Sequence, residues 1–172
     1  LPEYVIMALG TNDISWETAA TTERRLRSLL DRLGPNRHVL WVDLHLTRSA
    51  WLDARADWFN DLLRRLERQH PNLTVVDWHQ MARRHGIHGW DGIHYGPYGF
   101  RLRARTVVAA LNAEGRRDPI PAATPASWTT SRRLEERKTM KVNIDPARVP
   151  KSAMVAVGSR LDFQPRRLSM SS

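Results

Sequence analysis

Tyr4-Val5-Ile6-Met7-Ala8-Leu9, followed at once by Gly10-Thr11-Asn12-Asp13, is the stretch on which the fold turns. An unbroken apolar run of this length reads as a strand covered on both faces, the kind found in parallel sheets. The Gly-Thr-Asn-Asp segment ends it as a turn. Outward from there the chain alternates. Residues 16–33 carry Leu26, Leu29, Leu30 and Leu33 at three- and four-residue spacings, which predicts an amphipathic helix, stopped by Gly34-Pro35. Residues 39–46 read as a second strand, 51–69 as a second long helix carrying Leu62, Leu63 and Leu66, and 73–78 as a third strand after the break at Pro71-Asn72. A loop rich in Gly and His, 79–99, precedes a last helix over 100–113. Strands alternating with helices in this way predict a parallel sheet with helices on both faces, an α/β domain of the doubly wound kind.

The composition divides the chain. Residues 1–115 hold the α/β pattern, 116–131 form a linker rich in Pro, Ala and Thr, and 132–172 form a basic tail. Within the tail, Met140 to Ile144 and Ala153 to Val157 are apolar stretches that read as two short strands or an extended strap. The whole chain has 172 residues, 27 Lys and Arg against 18 Asp and Glu, and a formal charge of +9. Hydrophobic residues at 41% exclude a wholly disordered chain. No apolar run reaches the roughly 18 residues of a membrane span. With no cysteine, thiolate chemistry and disulfide scaffolds are excluded. Arg24, Arg25, Arg27, Arg64, Arg65 and Arg68 fall on helices, where such runs are solvated faces, so specific nucleic-acid binding is not expected.

In a parallel α/β sheet, chemistry gathers in the loops beyond the carboxyl ends of the strands. Two such loops stand out. In Gly10-Thr11-Asn12-Asp13, glycine permits close backbone approach and the Asn amide offers a neutral donor, which together suit an oxyanion. The other reading is an ordinary turn with Asn12 as the N-cap of the next helix. In Asp91-Gly92-Ile93-His94, an Asp three residues before a His can hold Nδ1–H and leave Nε2 as a general base. The other reading is a loop histidine bonded to backbone. His79, His85, His88 and His94 with Asp77 and Asp91 make a His-rich stretch, but its spacing and Gly86 and Gly89 argue for an irregular loop, and no metal or cofactor is expected.

Taken together and in this order, the two motifs resemble those of the SGNH (GDSL-type) hydrolase family. The resemblance covers residues 1–114. It implies a flavodoxin-like three-layer fold, with Gly10 and Asn12 in the oxyanion hole, His94 as general base and Asp91 as its orienting partner. The activity implied is that of a serine esterase, an acyl-ester hydrolase or an acyltransferase acting on small acyl esters of carbohydrate or lipid. Trp58 with Asn60, and Asp77-Trp78, look like the SGNH domains attached to acyltransferases that modify cell-wall polysaccharide, which implies a cell-envelope setting. In the family the nucleophile is the Ser of a Gly-Asp-Ser motif after the first strand. No Gly-Asp-Ser occurs in this sequence, and the opening strand matches the family's third. The chain, starting at Leu1 directly before a strand, therefore reads as trimmed, its fold as incomplete at the N-terminus, and its esterase activity as incomplete or lost without the nucleophile segment.

That reading has a physical consequence. Without a neighbour, the 4–9 strand would present an open apolar edge, inviting self-association or a partner chain. The tail is one candidate to cover it. Met154-Val155-Ala156-Val157-Gly158-Ser159 has roughly the texture of a first strand and its serine, and Met140 to Ile144 of a second. Ser159 is thus a nucleophile candidate, against the alternative of an unrelated strap ending in a Gly-Ser turn. The competing class of function is a non-catalytic binding or assembly subunit built on a hydrolase scaffold. Among the seven tryptophans, Trp41 and Trp78 are expected in the core, Trp51 and Trp58 on one packed helix face, and Trp90 beside the site, with Tyr95 and Tyr98 as neighbours.

Overall fold

The computed structural model describes residues 3–116 and the backbone of 153–157. In chain order these form β1 (Tyr4–Ala8), α1 (Asp13–Trp16), α2 (Ala19–Leu33), β2 (His38–Val42), α3 (Ala50–Glu67), β3 (Leu73–Val76), α4 (Trp78–Arg84), α5 (Pro97–Glu114) and β4 (Ala153–Val157). The strands make one parallel sheet in the order β3-β2-β1-β4.

Alternation along the strands splits the core into two faces, as a pleated sheet requires. Val5, Met7, Val39, Trp41 and Val75 point to the face covered by Leu26, Leu30, Phe59, Leu63 and Leu66 of α2 and α3. Ile6, Leu40, Val42 and Val76 point to the other, against Trp78 and Ala82 of α4 and Leu111 of α5. The result is three layers, an SGNH-like α/β architecture. Phe59, Leu62, Leu63 and Leu66 are fully buried, which sets the register of α3 on the sheet. No helix among the described residues is long and apolar enough to cross a membrane.

Several boundaries differ from the sequence expectation, each for a local reason. The helix expected over 16–33 is two helices, because Thr18 is extended and its Oγ1 accepts the Thr21 N–H at 3.2 Å, capping α2 afresh. The second strand ends at Val42 rather than at residue 46, because the Asn60 side chain takes both backbone groups of Leu44, at 2.8 Å each. A helical turn, α4, occupies the start of the expected 79–99 loop. Trp51 is exposed although it lies seven residues from the packed Trp58.

The edge of β1 is covered from within the chain. β4 pairs with it in parallel, Tyr4 opposite Ala153 through Ala8 opposite Val157. No partner chain is needed to complete β1. Met140 to Ile144 and Ser159 lie outside the described residues.

Candidate active site

The Asp91–His94 loop is built on glycine and anchored at three points. Gly92 has φ +74°, and a Cβ there would run into the backbone of Arg48. A Cβ on Gly89 would stand 2.6 Å from the carbonyl oxygen of His94. Neither position accepts a side chain without moving the loop. Across to the segment after β2, the Thr47 N–H donates to the Gly92 carbonyl at 2.8 Å. Tyr95 Oη donates to the His45 carbonyl at 2.6 Å, and His45 Nε2 lies 2.9 Å from the Ile87 carbonyl oxygen. Tyr95 also accepts from the indole of buried Trp78 at 3.0 Å, so this residue packs inward rather than lining the site.

On that frame the Asp91 carboxylate is fully engaged. Oδ1 accepts the backbone N–H groups of Ile93 and His94 at 2.9 and 2.7 Å. Oδ2 lies 2.7 Å from His94 Nδ1. The backbone N–H of His94 first, and its ring second, hold the Asp91 carboxyl well below the usual carboxylate range. An ionised Asp91 fixes the proton on Nδ1 and leaves Nε2 as the acceptor. The His94 side chain is 61% exposed, and Nε2 has no hydrogen-bond partner among the described residues. Trp90, 84% exposed, stacks on the His94 ring at 6.2 Å between centroids and 20° between planes. It forms a flat apolar wall beside the imidazole.

The second loop is equally constrained. Gly10 has φ +119°, and a Cβ there would stand 2.5 Å from the Phe59 ring. Its carbonyl accepts the Ile14 N–H at 3.1 Å, closing the turn into α1. Arg55 of α3 holds that helix, donating to the carbonyls of Ile14 at 2.9 Å and Glu17 at 2.7 Å. Asn12 occupies the N-cap position of α1, yet its side chain makes no capping bond. The exposed Asn12 amide is therefore not consumed by the helix it precedes.

Both loops open on one edge of the sheet. Gly10–Asn12 follows the carboxyl end of β1 directly. α5 runs back to the opposite edge, where Glu114 accepts from Thr74 at 2.7 Å and lies 3.7 Å from His38, the first residue of β2. A helix of 18 residues is about 27 Å long, more than the length of these strands. Its amino end, with His94 just ahead of it, is thus at the carboxyl edge.

Sequence reasoning passed over a second titratable group there. Asp43, just past β2, is 3% exposed and accepts the His79 N–H at 2.6 Å. Burial pushes its carboxyl up to about 7, against that hydrogen bond and the Arg64 guanidinium 4.0 Å away. His45, also buried, has its pKa lowered chiefly by burial, and Nδ1 is unpartnered among the described residues. Both sit in the apolar run 39–46, where nothing in the sequence distinguishes a buried polar side chain from one turned outward. Among the described residues, no three His, Asp or Glu side chains are grouped as a metal site would require.

The fold is SGNH-like. The chain is similar to a solved structure of a member of the lipolytic protein G-D-S-L family from Veillonella parvula, with a TM-score of 0.56 and 21% sequence identity. The match covers 66% of this chain and 64% of that one, so the chain spans somewhat less than two thirds of its neighbour. No protein-family model matches the sequence, and no curated protein does.

Proposed function

We propose that the protein is an SGNH-type serine ester hydrolase or acyltransferase, acting on small acyl esters of carbohydrate or lipid. The observation that carries this reading is the 2.7 Å pair between Asp91 Oδ2 and His94 Nδ1, with Nε2 exposed at the carboxyl edge of the sheet. His94 takes the proton of an attacking hydroxyl and returns it to the departing alcohol, while Asp91 holds the tautomer and stabilises the imidazolium. The backbone N–H of Gly10 and the side-chain amide of Asn12 bind the oxyanion across the same crevice. The Asn12 side chain, which makes no capping bond, and Gly10, whose φ of +119° lets the backbone turn at the start of the same loop, support that assignment. Trp90 offers an apolar face on which the ring of an acylated sugar, or an acyl chain, packs.

Incubation with p-nitrophenyl acetate and a serine-directed fluorophosphonate tests the reading. Turnover that disappears in His94→Ala, with a covalent adduct in the wild type, is expected. Absence of both turnover and adduct would leave a non-catalytic assembly subunit on a hydrolase scaffold.

A further inference from the structure

Five large hydrophobic side chains are exposed among the described residues: Trp16, Trp51, Trp90, Tyr98 and Phe100. All are aromatic, and no exposed Leu, Ile or Met accompanies them there. All five also lie at the carboxyl edge of the sheet. Trp16 ends α1, the single turn that follows β1. Trp51 is in the first turn of α3, which starts at that edge because the crossover between the parallel strands β2 and β3 must run back. Trp90 precedes Asp91, and Tyr98 and Phe100 are in the first turn of α5. Apolar side chains scattered singly over a surface are ordinary, whereas a collection at one place marks an interaction site. The three indoles are tied in series to the candidate base. Gly92, midway between Trp90 and His94, lies against the backbone of Arg48, three residues before Trp51. Arg55, one turn along α3 from Trp51, donates to the carbonyls of Ile14 and Glu17, on either side of Trp16. Three separate segments thus present flat apolar faces in the sequence Trp90, Trp51, Trp16, beginning at His94.

We propose that this edge binds a polymeric glycan, successive pyranose rings packing on Trp90, Trp51 and Trp16 while the acylated unit sits at His94. The proposal rests on the ester-hydrolase reading for what happens to the ligand, and on the exposed rings for what the ligand is. Repeated platforms suit a ligand of repeated flat units, as aromatic side chains suit the successive bases of a single strand. A pyranose offers an apolar C–H face to an indole and hydroxyl groups around its rim. Insertion into lipid would call for aliphatic side chains and cations beside the tryptophans, and this edge has no exposed aliphatic ones among the described residues. Nor does any of the three indoles have Lys or Arg next to it in the chain, while each has a carboxylate within two residues, Glu17, Asp53 and Asp91. That local negative charge disfavours the phosphates of nucleic acid or of anionic lipid, although the whole chain carries +9. Contact at several rings makes affinity rise with chain length, because each further ring binds from an already tethered ligand.

Titration of the full chain with cellohexaose, chitohexaose and hexagalacturonate, read by tryptophan fluorescence and calorimetry, tests the proposal in the wild type, Trp16→Ala, Trp51→Ala and Trp51→Phe. Thermal melts check that each variant folds. At least one hexasaccharide is expected to bind, and more tightly than its disaccharide. Its Kd should rise about five- to tenfold in each Ala variant, the loss of one ring contact, and return toward wild type in Trp51→Phe. Hydrolysis of p-nitrophenyl acetate should keep its wild-type rate in Trp16→Ala and Trp51→Ala, because neither indole touches the reacting atoms. Binding to none of the three hexasaccharides, no gain over the disaccharide, or an unchanged Kd in both Ala variants overturns the glycan site. So does binding to phosphatidylglycerol vesicles or to a thymidine oligonucleotide but to no glycan. Glycan binding without ester turnover leaves the glycan site and removes the hydrolase reading; turnover without glycan binding does the reverse.

Discussion

Replacing Asp91 by Asn isolates what the carboxylate does from what the loop needs. The three hydrogen bonds it accepts divide into two kinds. Those from the N–H groups of Ile93 and His94 to Oδ1, at 2.9 and 2.7 Å, shape the turn, and an Asn carbonyl accepts both. The third, from His94 Nδ1 to Oδ2 at 2.7 Å, needs an acceptor where Asn places an NH₂ group. Nδ1 must then become the acceptor, the proton moves to Nε2, and the base turns into a donor. The loop is kept and the tautomer is lost. In a Ser-His-Asp enzyme the same change leaves the geometry intact and lowers kcat by about 10⁴, and a loss of that order is expected here. Because both backbone bonds that shape the turn survive, the melting temperature should stay at the wild-type value. Asp91→Ala removes all three bonds and is expected to lower both activity and melting temperature. Steady-state hydrolysis of p-nitrophenyl acetate beside thermal melts separates the cases. Activity of Asp91→Asn within about threefold of wild type would refute the orienting role, since a tautomer switch costs far more than that.

Three further outcomes follow from the same geometry. Asn12→Ala should reduce kcat by about 10²–10³, the usual effect of one oxyanion donor, with an unchanged melt because the side chain caps nothing; a lowered melt with full activity would return Asn12 to a structural role. Gly10→Ala should destabilise by about 1–3 kcal/mol through its backbone conformation alone, and more from the clash with Phe59, as read by urea denaturation; a stability equal to wild type would contradict the φ of +119°. Burial raises the Asp43 carboxyl from its ordinary value of 3.8 to about 7, so between these values the folded state holds a proton the unfolded chain has released. Stability therefore falls as pH rises through this window and levels above about 7, by up to about 4 kcal/mol. Asp43→Asn should remove the decline and be the more stable form at pH 8, with little difference at pH 4.

The sequence showed the fold where local pattern carried it. The 4–9 run, the leucine spacing in α2 and α3, and the Gly34-Pro35 and Pro71-Asn72 breaks each report on their own neighbourhood. So does Asp91-x-x-His94, whose bond closes within four residues. What was not legible depends on distant groups. The end of β2 is set by Asn60 on α3, and the packing of Trp58 but not Trp51 by where α3 meets the sheet. Asp43 and His45 hide in an apolar run because burial of a polar side chain is decided by its surroundings in the fold. Strand order lies between the two: the texture of Met154–Val157 made the tail a candidate cover for the edge of β1, but the alternative of an unrelated strap is set aside only by its parallel pairing with β1, some 150 residues earlier in the chain.

A crystal structure of the phosphonylated protein tests the central claim most directly, that the loop after β1 and the Asp91–His94 loop serve one crevice. The account predicts a phosphonyl oxygen within about 3 Å of the Gly10 N–H and Asn12 Nδ2, and His94 Nε2 within hydrogen-bond reach of the modified hydroxyl oxygen. An adduct remote from Asn12, or Asn12 and His94 facing away from one another, would contradict it.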